Sequence, residues 1–289
     1  MKAELTMVLL LTGILSGLGA ERRITSSSTI EFAHVGDGNI RQGSIQLGDM
    51  NTTFSRVRHV RSIATSEFYS WRIGGEWERL GFGLPGNPPL PNTLHSLHLH
   101  LGNTWRIRKK TMLQFEVDPG FYSDFEDVDF GDLNYPVSAR LIYAQNRKLQ
   151  WVFALISNPK SELALVGGVG ARWQFADDWT LDFILPKPQV RWDFSEKLSI
   201  FAGGEFKGGA YRVAEDFGTQ RGLARLNDSD ITYREARVGA GFKWQISQKL
   251  HALVDGGYLI DRRFSYEDKN LQLNGDGAPY FQISLRARY

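Results

Sequence analysis

The chain has 289 residues, 34 of them basic and 32 acidic, a formal net charge of +2 and no cysteine. That balance, with neither sign gathered into a long block, argues against a dedicated nucleic-acid surface, and the missing thiols exclude a disulfide framework and lipid attachment to cysteine. Mean hydropathy of −0.30 decides nothing, because a β-barrel hides its lipid-facing band in alternation.

The chain opens MKAELTMVLLLTGILSGLGA. Lys2, the apolar stretch from about Leu5 to Leu18 and the small residues Gly17, Gly19 and Ala20 predict a secretory signal peptide over residues 1–20, cleaved after Gly19 or after Ala20. The run is shorter than the ~20 residues that a spanning helix needs, and no later segment supplies one. Residues 21–289 are then expected to form one all-β domain. An early strand pair is placed near Ser27–Val35 and Gly43–Val60, although Arg56, Arg58 and Arg61 interrupt its apolar face.

From residue 67 onward apolar and polar residues alternate with the period of two that puts them on opposite faces of a strand. Tyr69, Trp71, Ile73 and Trp77 oppose Arg72 and Glu76; Leu97, Leu99, Leu101 and Trp105 oppose His98, His100 and Arg106; Leu113 and Phe115 oppose Gln114 and Glu116. The pattern recurs through Leu141 and Tyr143, through Leu163–Phe175, around Trp179, Trp192 and Ile200, and again through Val238–Trp244 and Leu250–Ile260. Short polar turns are expected near residues 63–66, 108–110, 146–148, 176–178, 195–197 and 247–249. Longer links run between them, at 83–92, 123–134, 213–230 and 265–279. Short turns at one end and long loops at the other form the asymmetry of a transmembrane antiparallel up-and-down β-barrel, short side in the periplasm. Taking Pro186–Pro188 as a turn gives fourteen strands; taking the segments around it as one bent strand gives twelve.

Trp105, Trp151, Trp173, Trp179, Trp192 and Trp244 all lie close to a short turn and on the apolar parity. They predict an aromatic girdle at the periplasmic interface, where amphipathic rings settle. The last strand, YFQISLRARY, sets Phe281, Ile283, Leu285 and Tyr289 against Arg286 and Arg288. In this strand and its terminal aromatic the chain resembles bacterial outer-membrane proteins, and over most of residues 43–289 it resembles uncharacterised outer-membrane barrel families of unknown function. The resemblance implies the fold, the outer membrane as location, lipid and lipopolysaccharide as surroundings, and recognition of the last strand by the barrel-insertion machinery. It implies no function.

The inward parity carries Arg72, Arg106, Arg108, Arg140, Arg172, Arg191, Lys207, Arg237, Lys243, Arg286 and Arg288 against Glu76, Glu116, Asp182, Asp193, Glu205, Glu235 and Asp255. Such residues either set the ion preference of a water-filled pore or pair off and stiffen a plugged barrel. Ser96, His98 and His100 share a strand face, the imidazoles about 7 Å apart, and an enzyme would need one of them to meet a carboxylate at the rim. The acidic loop with Asp124, Glu126, Asp127, Asp129 and Asp132 departs from EF-hand spacing, so a solvated loop is the expectation, with no metal. Gly167, Gly168 and Gly170 lie inside a strand and lack a phosphate loop's Lys-Ser ending. Asp177 and Asp178 point apart in a turn, and no GxSxG, HExxH or P-loop occurs. The leading expectation is a porin-like channel or passive small-solute conduit, not an enzyme and without cofactor. The alternatives are a plugged barrel acting through its outer loops as an enzyme or adhesin, and a soluble periplasmic β-sandwich.

Overall fold

The computed structural model describes residues 24–161 and 164–289; the signal-peptide reading and Leu163 fall outside them. Its seventeen strand segments make fourteen strands, three of which are interrupted and resume. They are β1 (Ile24–Gln42), β2 (Ile45–Ala64), β3 (Tyr69–Gly83) and β4 (Thr93–Arg108), then β5 (Thr111–Val117, resuming as Gly120–Ser123) and β6 (Leu133–Asn134, resuming as Val137–Ala144). There follow β7 (Leu149–Ser157), β8 (Leu165–Ala176), β9 (Trp179–Phe183), β10 (Gln189–Asp193) and β11 (Leu198–Arg212). The last three are β12 (Asp230–Gln245), β13 (Leu250–Tyr266) and β14 (Leu271–Gly275, resuming as Ala278–Arg288).

Each strand pairs antiparallel with its chain neighbours, and β14 closes the ring on β1 from Ser27↔Arg288 to Val35↔Tyr280. Closure removes the sheet edges that a sandwich would leave. The Pro186–Pro188 turn is real, so the count is fourteen. The early pair runs longer than the sequence pattern indicated, because Arg56 and Arg58 point inward onto carboxylates and so do not spoil the outer face. One expected long loop is not a loop. Most of residues 265–279 is strand, with only 267–270 turning, because the ends of β13 and β14 keep pairing from Arg262↔Gly275 to Tyr266↔Leu271.

Two prolines shape the wall. Pro119 and Pro136 lack an N–H and sit at the interruptions of β5 and β6, where their carbonyls still accept from Leu99 N (3.0 Å) and Asp118 N (2.9 Å). Beyond this bend the tip of β5 reaches β11, pairing Ser123↔Arg212 in parallel, and Asp124 N donates to Arg212 O at 3.1 Å. The contact pinches the loop end. Above it β11–β14 and β1–β5 form a nine-strand collar, and every one of these nine strands, but none of β6–β10, contributes to the main buried apolar cluster.

Candidate functional site: a lumen sealed at one end

Inside the collar the strands project Ile40, Met50, Phe54, Phe82, Leu94, Tyr233, Phe264 and Tyr266 toward one another, all buried. Phe82 meets Phe264 edge-on at 5.3 Å between ring centroids, and Tyr233 lies 5.0 Å from Phe264. A barrel of about eight strands has an interior just wide enough for side chains to fill, so nine strands with ring-bearing residues leave no axial pore. Loops complete the seal. Leu90 enters from the β3–β4 loop, and Phe217 and Leu226 from the β11–β12 loop, Phe217 lying nearly parallel over Tyr266. Tyr266 OH donates to Pro89 O at 3.1 Å, and Arg221 to Asn92 Oδ1 at 3.1 Å.

The acidic loop belongs to this seal. Asp124 is buried and accepts from Ala214 N at 3.0 Å, tying the β5–β6 loop to the β11–β12 loop; burial raises its carboxyl above the usual range. Asp129 and Asp132 cap a short helical turn reciprocally. Asp228 is held below its ordinary value by the hydrogen bond from Arg212. Among the described residues no group of three or more His, Cys, Asp or Glu side chains could hold a metal ion.

Below the collar the predicted lumen charges point inward and pair off. Glu31, missed by the sequence reading, accepts from Arg56 at 2.5 Å and from Lys207 at 3.1 Å. Arg56 also lies 3.7 Å from Glu76 and 3.4 Å from Glu78, and Arg58 lies 3.2 Å from Glu76. Further pairs are Arg72–Glu116 (2.6 Å), Arg140–Glu116 (3.6 Å), Arg172–Asp182 (2.5 Å) and Arg191–Asp193 (2.9 Å). Glu205 lies 2.6 Å from Lys187 and 3.7 Å from Lys207, while Lys243 donates to Gln189. Arg237 and Glu235 pair at 2.5 Å with fully buried side chains. That burial removes Arg237 as a selectivity residue, because a guanidinium without water contact cannot face a passing ion. Asp255 lies beside Tyr280 on the wall of a small cavity of about 70 Å³, which Lys187, Phe201, Glu205 and Gln282 also line.

Four cations at the short-turn end behave differently. Arg106, Arg108, Arg286 and Arg288 are exposed, and none has a carboxylate within ion-pair distance among the described residues. Arg286 donates only to Thr29 Oγ1, at 3.2 Å. The lumen is thus a cationic vestibule below, an ion-paired layer in the middle and an apolar seal above.

In the histidine cluster one imidazole does meet a carboxylate. His100 Nδ1 is 2.7 Å from Asp118 Oδ1, and His98 stacks on Tyr122 at 5.4 Å. Ser96 is fully buried, with no hydrogen-bond partner for its hydroxyl. The nucleophile–base hydrogen bond that hydrolysis needs is not formed. The six tryptophans point outward near the short turns, Trp179 stacked on Trp192 at 5.8 Å. Phe281, Ile283, Leu285 and Tyr289 lie exposed on the outer face of β14.

Comparison with known proteins agrees with the architecture. A family model described as a domain of unknown function, DUF6268, matches residues 50–287, while no curated protein matches. An outer membrane channel from Pseudomonas putida F1 superposes with a TM-score of 0.52 at 10% identity, over 96% of this chain and 98% of that one. The deltaS2 mutant of the TodX monoaromatic hydrocarbon channel gives 0.49 at 10% identity, over 93% and 91%. At such identity the likeness is one of fold, that of a closed antiparallel barrel.

Proposed function

The chain belongs to the DUF6268 family, and we propose that it is an outer-membrane barrel serving as a passive small-solute conduit, with an anion-preferring vestibule toward the periplasm and an outer end shut by its own collar. The observation that carries this reading is the contrast between charges. The middle of the lumen neutralises itself, whereas Arg106, Arg108, Arg286 and Arg288 keep an uncompensated positive field where water can enter. Lipid and lipopolysaccharide would surround the apolar outer face, and the insertion machinery would read β14.

Ion preference tests the vestibule. In a barrel whose collar has been emptied, anions are expected to permeate several-fold better than cations, with the preference fading as salt approaches 1 M and the Debye length falls to ~3 Å. Arg106→Glu together with Arg286→Glu, which leaves two glutamates balancing Arg108 and Arg288, should bring the reversal potential under a salt gradient close to zero. An unchanged potential would remove the vestibule's role. A second reading, the plugged scaffold, draws on the ion-paired mid-lumen and predicts a folded barrel that stays silent even with the collar emptied.

A further inference from the structure

We infer that the barrel wall is open sideways between β8 and β11, and that this window admits small apolar molecules from the lipid into the lumen. The inference rests on the conduit reading and names its solute class. It starts from a mismatch in length: β9 and β10 have five residues each, while β8 and β11 on either side have twelve and fifteen. β9 covers β8 only from Ala171 downward, leaving Leu165–Gly170 paired with β7 alone. On the other side β10 covers β11 only as far as Gly203. The hairpin tip adds two bonds, Gly204 N to Pro188 O and Phe206 N to Pro186 O, both 2.8 Å. Above them Lys207–Tyr211 pairs with β12 alone, until Arg212 meets β5.

Depth makes the gap unusual. A strand tilted at about 40° climbs roughly 2.5 Å of height per residue. Counted up from Trp173, residues 166–170 therefore lie roughly 8–18 Å above the tryptophan girdle, within an apolar band ~25 Å tall. An unpaired sheet edge is not tolerated against lipid; at that depth it occurs only where it lines a cavity or is buried in protein. Here a lumen cavity lined by Lys187, Gly204 and Glu205 adjoins the lower border of the gap, at the hairpin tip.

The lining fits an apolar passenger. Gly167 and Gly168 stand on one jamb and Gly208 and Gly209 on the other, and a Cβ added at Gly168 would meet nothing within 4 Å. Leu165, Val169, Leu185 and Phe206 are exposed on the lipid side. Ile156 and Val166, cross-strand partners on the inward parity, are 41% and 42% exposed, a misplaced pair in a lumen built only for ions. The one cation on the sill, Lys187, is tied to Glu205.

The test is photolabelling of the refolded full mature chain in phosphatidylcholine vesicles with a small neutral phenyl diazirine, read by mass spectrometry. The wild type should carry label on inward residues of 201–205 and 280–282 as well as on Val169 and Leu185. Gly168→Trp should cut the inward label about tenfold and spare the outward label. Should that variant misfold, Val166→Cys in this cysteine-free chain can be blocked with a bulky maleimide after folding. Label confined to outward residues, inward label insensitive to the block, or a dimer cross-linked through Val169→Cys that covers the gap would each overturn the window. Inward label sensitive to the block, in a barrel that stays silent after its collar is emptied, would leave the window standing and defeat the conduit.

Discussion

Emptying the collar is expected to turn an electrically silent barrel into one that conducts in discrete steps. Val213 N donates to Ser229 O at 3.0 Å, so the two ends of the β11–β12 loop are already paired, and residues 215–228 can be replaced by two glycines without moving either strand. This removes Phe217 and Leu226 from the seal, but the rings borne by β3 and β13 still fill the bore. Phe82→Ala and Phe264→Ala are therefore needed as well, each at a cost of about 3–5 kcal/mol in lost packing. The fourteen-strand ring below does not depend on those rings, so the variant should still migrate as a heat-modifiable folded barrel. Steps in a planar bilayer, absent from the wild type, would establish a through-going lumen. Silence from a demonstrably folded variant would mean that the ion-paired layer also blocks, and the scaffold reading would replace the conduit.

The outer face was legible in the sequence because lipid imposes one rule on every strand: an apolar residue at every second position. That rule carried the parities of Leu97, Phe115, Val238 and Ile283, and with them the inward direction of Arg72, Glu116 and Glu205. It failed where no lipid is met. In β2 the inward residues Phe54, Arg56 and Arg58 mix apolar with charged, since the same strand passes from the apolar seal into the ion-paired layer; the strand therefore looked irregular. The seal is not legible because Phe217 and Leu226 lie in a loop rich in charged residues and glycine, and nothing local says that they fold back into a bore. The pinch between β5 and β11 joins residues 89 apart in the chain, a distance over which alternation carries no information. One signal was available for the window. A strand pair five residues long beside a glycine run makes the wall low there, although in the sequence the same shortness fits either twelve strands or fourteen.

Glu31→Leu is expected to cost more stability than any single substitution in the vestibule. The side chain is 5% exposed and compensates two cations, Arg56 at 2.5 Å and Lys207 at 3.1 Å. Removing one member of a buried ion pair leaves the partner charged and desolvated, at about 3–5 kcal/mol. Two features moderate the loss: Arg56 keeps Glu76 and Glu78 at 3.7 and 3.4 Å, and Lys207 keeps Glu205 at 3.7 Å. The lower end of that range, about 3 kcal/mol, is therefore the expected shift in the urea unfolding free energy of the lipid-embedded protein. Glu31→Gln keeps an acceptor for both cations and should lose about half as much. Arg286→Ala, whose partner is a single threonine hydroxyl, should fall within about 0.5 kcal/mol of wild type. If Glu31→Leu proves as mild as Arg286→Ala, the mid-lumen is wet enough to solvate stranded charges, and it is a water-filled passage after all. A large loss places the dry boundary of the lumen at Glu31, below the collar rings, and leaves the side of the barrel as the shortest way from lipid to vestibule.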